Sequence, residues 1–230
     1  MNSTMDKNYY LNNGQSEDRI GLIFFSNIVK KYFKKGRILD FGCGTGHFLK
    51  KFSADNYRKI GYDASAYAVS CAKKINQDTL FINDPEIYLQ DNSIDCICSL
   101  HVLEHVANPT NTLDLFRRKL IQKGLLVIVV PNDKSLGKKI KKNKWFAFRD
   151  ESHVSLLRVE AWIEIVKKND FDIVKVATDG LWDVPYFKYC PALIQKLLFY
   201  PTAAMQIWSR SLFLPLFLGE NLIIIARKSS

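Results

Sequence analysis

Arg37-Ile38-Leu39-Asp40-Phe41-Gly42-Cys43-Gly44-Thr45-Gly46 decides the architecture of this chain. A short apolar run that stops at alternating glycines is the strand and loop of a nucleotide-binding α/β unit. There the glycines let backbone approach a ligand that a Cβ would keep away. Further on, Lys59-Ile60-Gly61-Tyr62 ends in Asp63, a carboxylate placed to accept hydrogen bonds from both hydroxyls of a ribose. Asp40 narrows the ligand. A dinucleotide site keeps the residues before its first glycine apolar, because a pyrophosphate repels carboxylates. An acid two residues before Gly42 suits a ligand that carries a cation.

Two later stretches continue the same order. Asp91-Asn92-Ser93 is a turn signal ahead of the apolar Ile94-Asp95-Cys96-Ile97-Cys98-Ser99-Leu100, which runs into His101-Val102-Leu103-Glu104-His105-Val106. Leu120-Ile121-Gln122-Lys123-Gly124 reads as a helix end and turn before the buried parallel strand Leu125-Leu126-Val127-Ile128-Val129-Val130, closed by Pro131-Asn132. Together with the glycine loop these segments resemble the class I S-adenosylmethionine (SAM) dependent methyltransferases over residues 16–180, and the remainder loosely.

The resemblance implies a doubly wound α/β fold with a seven-stranded, mostly parallel sheet, the last strand inserting antiparallel beside the fifth. It implies SAM as cofactor, with Asp40 facing its amino group and Gly42, Cys43, Gly44 and Gly46 shaping the methionine and ribose pocket. Asp63 would hold the ribose, and Ser99 and Leu100 would place backbone beside the methionyl group. Asn83 or Asp84, after the third strand, would meet the adenine amine. Lys123 stands where the family has the first of two glycines, and Asn169-Asp170 where it often has another.

At 230 residues, with 47% hydrophobic and 24% charged residues, the chain has the size and balance of one globular domain. The polar first thirteen residues carry no apolar signal core, so a cytoplasmic protein is expected. The five cysteines fit buried thiols in a reducing compartment. Cys96 and Cys98 are read as facing opposite sides of a strand, unable to share an ion, and no Asp, His and Glu cluster with ligand spacing follows the fourth strand. No metal is expected. The net charge of +10 owes much to Lys138, Lys139, Lys141, Lys142 and Lys144, a run that reads as a solvated loop or as a contact for an anionic substrate or membrane surface.

Along the chain, residues 1–35 form an N-terminal helical segment in which Ile20, Phe24, Ile28 and Tyr32 recur at helical spacing. Residues 36–180 are the SAM-binding core. Strands are expected near 37–41, 58–62, 79–82, 94–100, 124–130 and 172–177, and helices near 46–54, 65–76, 109–122 and 159–168. Residues 181–219 are an apolar helical insertion and 220–230 the last strand. The insertion is too short between its charges and too interrupted by Pro201 to span a membrane. It reads as a core layer, a lid over the acceptor, a dimer face or a surface resting on lipid.

On the acceptor side, Asp150-Glu151-Ser152-His153 matches an Asp-x-x-His segment that many small-molecule methyltransferases of this type carry. His153 is the candidate to take a proton from an attacking hydroxyl, or else packs its own helix. His101 is the second candidate, and His105 is expected to hold the loop after the fourth strand. The function expected is methyl transfer to a small-molecule, sugar or lipid-linked acceptor, at oxygen. The rivals are a nucleic-acid methyltransferase, favoured by charge alone and lacking an Asn/Asp-Pro-Pro-aromatic segment, and a SAM-binding protein that transfers nothing. A nicotinamide oxidoreductase would share the glycine loop, and Asp40 argues against it.

Overall fold

In the computed structural model, which describes residues 9–10 and 20–230, the strands are β1 Gly36–Phe41, β2 Tyr57–Tyr62, β3 Thr79–Ile82, β4 Ile94–Leu100, β5 Leu120–Pro131, β6 Phe171–Thr178 and β7 Asn221–Lys228. They form one sheet in the order β3-β2-β1-β4-β5-β7-β6. The first five pair in parallel, and β7 lies antiparallel between β5 and β6. Because chain order reverses between β1 and β4, their C-terminal ends open a crevice there.

Helices cover both faces, which is why the central strands are apolar throughout rather than alternating. On one face α1, Ile20–Tyr32, lays Phe24, Ile28 and Val29 over Ile38, Cys96, Cys98, Val127 and Val129. On the other, α4, Pro109–Lys119, and α7, Val159–Lys168, bury Leu113, Phe116, Trp162 and Val166. Local chemistry sets several helix starts: Ser65 accepts from Ala68 N at the start of α2, Ala66–Ile75, and Asn108 with Pro109 opens α4. Asp170 turns at φ +56, the left-handed conformation expected of the Asn169-Asp170 pair.

Three expectations are corrected. The helix near 46–54 is only a 3-10 turn, Leu49–Lys51. Phe48, Leu49 and Phe52 are all drawn into the core, and Asn76 Nδ2 donates to the Gly46 carbonyl at 3.0 Å, which favours a tight turn over a regular helix. Cys96 and Cys98 lie on the same face, with sulfurs 3.8 Å apart, because residues two apart along a strand share a side. Burial pushes the Cys98 thiol well above its usual range. The strand expected from Gly124 begins at Leu120, its pairing with β4 interrupted by an irregularity around Lys123, which adopts φ +59 at about 1 kcal/mol cost.

The insertion is inside out. Its helix α8, Ala192–Ser209, turns Gln195, Ala203 and Gln206 inward. Gln195 Oε1 accepts from the Tyr186 and Phe187 amides while its Nε2 donates to the Phe187 and Cys190 carbonyls. Gln206 Oε1 likewise accepts from Phe213 and Leu214, and its Nε2 donates to the Thr178 and Asp179 carbonyls. Glu220, buried at the head of β7, accepts from Ser135 Oγ, Trp145 Nε1 and Tyr186 Oη at 2.9, 2.7 and 2.6 Å. Tyr186 therefore belongs to the bolt that fastens the insertion to the sheet.

Candidate active site

The glycine loop leaves β1 at the switch point. Gly42, Gly44 and Gly46 have φ of +84, +50 and +85, and a Cβ on Gly42 would meet Val102 Cγ2 at 2.2 Å. The Gly42 and Cys43 amides both donate to the Tyr62 carbonyl, which fixes the loop over the end of β2. Asp63 Oδ2 accepts from Gly44 N at 2.8 Å and Oδ1 from Ser65 N at 2.9 Å, so the ribose carboxylate expected from the sequence is held by the glycine loop itself. Tyr10 also donates to Asp63 Oδ1, at 3.0 Å. Burial and the Asp63 charge push the Tyr10 phenol upward, keeping it a donor.

Asp40 is buried at the end of β1, and burial followed by repulsion from Asp63 pushes its carboxyl up to about 8. Ser99 follows Cys98, the β4 residue that pairs with Asp40; it is fully buried, and its hydroxyl has no hydrogen-bond partner among the described residues. A raised buried acid, an orphaned hydroxyl and a cradle that side chains would fill are the features that a cationic nucleoside ligand would satisfy. Leu100 is half-buried at the strand end. Of the two adenine candidates, Asn83 is exposed, while Asp84 caps α3, Pro85–Tyr88, by accepting from Glu86 N at 2.7 Å. Cys43 is buried under the loop.

Beyond the end of β4 the fold joins two segments far apart in the chain. Val154 N and Ser155 N both donate to the Glu104 carbonyl at 2.9 Å, and Ser155 Oγ donates to Val106 O at 2.6 Å. The rings of His105 and His153 thereby come within 4.6 Å of each other. His153 Nδ1 lies 2.7 Å from the Ala147 carbonyl, which can only accept, so Nδ1 carries the proton. Ser152 donates its hydroxyl proton to Asp150, so its oxygen accepts from His105 Nδ1 at 2.9 Å. Both Nε2 atoms are left with lone pairs. Burial lowers the His105 pKa, which keeps that ring neutral. Burial alone would raise Asp150, but hydrogen bonds from the Ser152 hydroxyl and amide hold it below its usual range.

His101, the second candidate, stands at φ +57 with its ring half-exposed, Nδ1 3.4 Å from Glu104 Oε1. Sequence reading assigned no role to Glu104, Ser152, Tyr9 or Tyr10. Tyr9 donates to Asp150 at 3.3 Å while Tyr10 holds Asp63, so one dipeptide bridges the histidine pair and the ribose carboxylate. Leu-Glu-His was the available signal for Glu104, and nothing in the local sequence marks the tyrosines.

A seven-stranded sheet with antiparallel β7 and this cradle at its switch point is the architecture of the SAM-dependent methyltransferases, and comparison with known proteins gives the same class. A family model described as a methyltransferase domain matches residues 21–176, and the chain belongs to that family. The chain is 30% identical over 163 residues to an uncharacterized protein of Methanocaldococcus jannaschii, covering 69% of this chain and 76% of that one. Over 146 residues it is 27% identical to an mRNA cap guanine-N(7) methyltransferase of Cryptococcus neoformans, 49% of this chain and 23% of that enzyme. Among solved structures, a putative methyltransferase in complex with the Trm112 activator of Haloferax volcanii superposes with TM-score 0.69 at 16% identity, covering 97% and 95% of the two chains. The plantazolicin methyltransferase, bound to a desmethyl substrate analogue and the demethylated cofactor, superposes with TM-score 0.62 at 20% identity over 97% and 89%. The protein is a SAM-dependent methyltransferase.

Proposed function

We propose that the enzyme methylates oxygen on a lipid-linked acceptor at the cytoplasmic face of a membrane. The observation that carries this reading is the outward face of α8. Leu193, Ile194, Leu197, Leu198, Met205 and Trp208 are exposed, Trp208 by 87%. At 3.6 residues per turn they fill an arc of roughly 140°. Lys188, Lys196 and Arg210 flank it, and no acid occurs between Asp183 and Glu220. An apolar face with basic flanks suits an anionic bilayer surface, each cation adding about 1 kcal/mol near it. Among the described residues no helix is long and apolar enough to cross a membrane. Part of the lysine run is already engaged, since Lys141 pairs with Asp183 at 2.6 Å.

SAM, when bound, supplies the electrophilic methyl and leaves as a neutral thioether, so the chain's task is alignment and exclusion of water. Asp63 and the loop amides would fix the nucleoside, and Asp40 would face the amino group. His105 and His153 hold unprotonated Nε2 atoms where an acceptor hydroxyl's proton is accepted or its oxygen is polarised.

Co-sedimentation with vesicles of phosphatidylglycerol and phosphatidylcholine tests the membrane reading. Binding should weaken at least tenfold in the Leu197→Glu, Trp208→Glu double variant, with affinity for the demethylated cofactor retained. No binding to anionic vesicles, or a stable dimer burying α8, removes it. The mRNA cap relative and the net charge of +10 favour a second reading, an RNA acceptor. Label transfer from SAM to total RNA, with none to extracted lipid, would establish that instead.

A further inference from the structure

We infer that Glu104, His105 and His153 bind a divalent metal ion of the zinc class. One ligand atom of each lies within 4.8 Å of those of the other two. Sequence spacing hides this trio, because His153 enters from 48 positions beyond His105, and the proposal departs from the expectation of no metal.

Glu104 supplies the independent observation. It is 0% exposed, and neither carboxylate oxygen has a hydrogen-bond partner among the described residues. A buried carboxylate without hydrogen bonds costs several kcal/mol. His101 is the nearby group able to carry a positive charge, but its ring is 39% exposed and stands 3.4 Å from one oxygen. A dication among Glu104, His105 and His153 would compensate the charge directly.

The histidines are also arranged as ligands. Each spends its Nδ1 proton on a fixed acceptor, His153 on the Ala147 carbonyl and His105 on Ser152, itself anchored on Asp150. That outer support fixes ring orientation and leaves the Nε2 lone pair for an ion. The paired bonds to the Glu104 carbonyl clamp the two segments together. Two nitrogens and one carboxylate oxygen suit zinc, cobalt or manganese rather than calcium or magnesium, and three protein ligands leave a position open.

An open position on the acceptor side would let the ion, in place of the ring nitrogens it occupies, polarise an acceptor hydroxyl and lower its pKa. This consequence rests on the oxygen-acceptor reading above, whereas the ion site does not. The test uses the full chain stripped with chelator and titrated with cobalt(II), followed by visible absorption, with zinc competition by calorimetry. One equivalent should bind with the intense visible bands of a four- or five-coordinate ion. Glu104→Gln and His153→Gln should each weaken binding at least tenfold while affinity for the demethylated cofactor persists, which shows the variants folded. Absence of the bands, or equal affinity in both variants, overturns the site. Cobalt binding without transfer to any hydroxyl supports the site and fails the acceptor reading, so the two are separable.

Discussion

The glycine-loop end of the crevice and the end beyond β4 are built by different means. Around β1 and β2 the site is mostly backbone: positive-φ glycines, loop amides on the Tyr62 carbonyl, and two carboxylates, buried Asp40 and Asp63, the latter held by the Gly44 and Ser65 amides. Around the end of β4 it is side chains from separate segments, Glu104, His105, Ser152 and His153, with a helix beyond whose polar residues face inward. A ligand shared by a whole family can be met by backbone geometry that tolerates sequence change nearby. An acceptor peculiar to one enzyme has to be met by side chains, and these vary freely once the sheet is fixed.

The sharpest way to break this contrast is Glu220→Ala. It would leave the Ser135 hydroxyl, the Trp145 indole N–H and the Tyr186 hydroxyl buried without their shared acceptor, at about 1–3 kcal/mol each. A loss of about 3 kcal/mol or more is expected in urea unfolding, with faster proteolysis within residues 181–219. A loss below about 1 kcal/mol would mean that the insertion is not bolted to the sheet.

Asp63→Ala tests the backbone-built end. It removes a charged acceptor for two hydroxyls and frees the Gly44 amide, so cofactor affinity should fall by about 2 kcal/mol, roughly 30-fold. Vesicle binding should not change. Wild-type affinity in calorimetry would show that the ribose lies elsewhere.

Asp40 gives the smallest and most specific effect. Its carboxyl titrates near 8 in the folded protein, against about 3.9 in an unfolded chain. The folded state therefore holds a proton that the unfolded state loses, and the stability this provides is lost as pH rises from about 4 through about 8. A cation placed beside Asp40 favours the carboxylate, so binding at pH 7 should release roughly half to one proton, and affinity should rise with pH up to about 8. Calorimetry in buffers of different ionisation enthalpy reads the proton count, and Asp40→Asn should abolish it. Equal enthalpies in all buffers would separate Asp40 from the cation.

Much of the fold was legible because its signals are short-range. Strand β4 and helix α7 begin and end where the apolar runs and turn residues place them, and Asp40, Gly42, Gly44, Gly46 and Asp63 stand together at one strand edge. The failures also have local causes. The turn after Gly46 was expected to be a helix because a glycine loop of this kind opens one, yet Phe48, Leu49 and Phe52 are all pulled into the core and leave only a 3-10 turn. Tyr186 could not be placed from the sequence, because an aromatic in an apolar stretch gives no sign of the buried carboxylate it will find.

By itself the sequence determined the order of strands, the glycine cradle and the acids at its rim, because strand period, turn chemistry and φ preference act over a few residues. Tertiary structure alone decided that His153 stands against His105, that Glu104 is buried with no hydrogen-bond partner among the described residues, that Tyr10 covers Asp63, and that α8 shows its leucines to solvent. These facts depend on contacts between residues tens of positions apart, and on which side of a helix finds partners. Both are set by the packing of the whole sheet and by no local propensity.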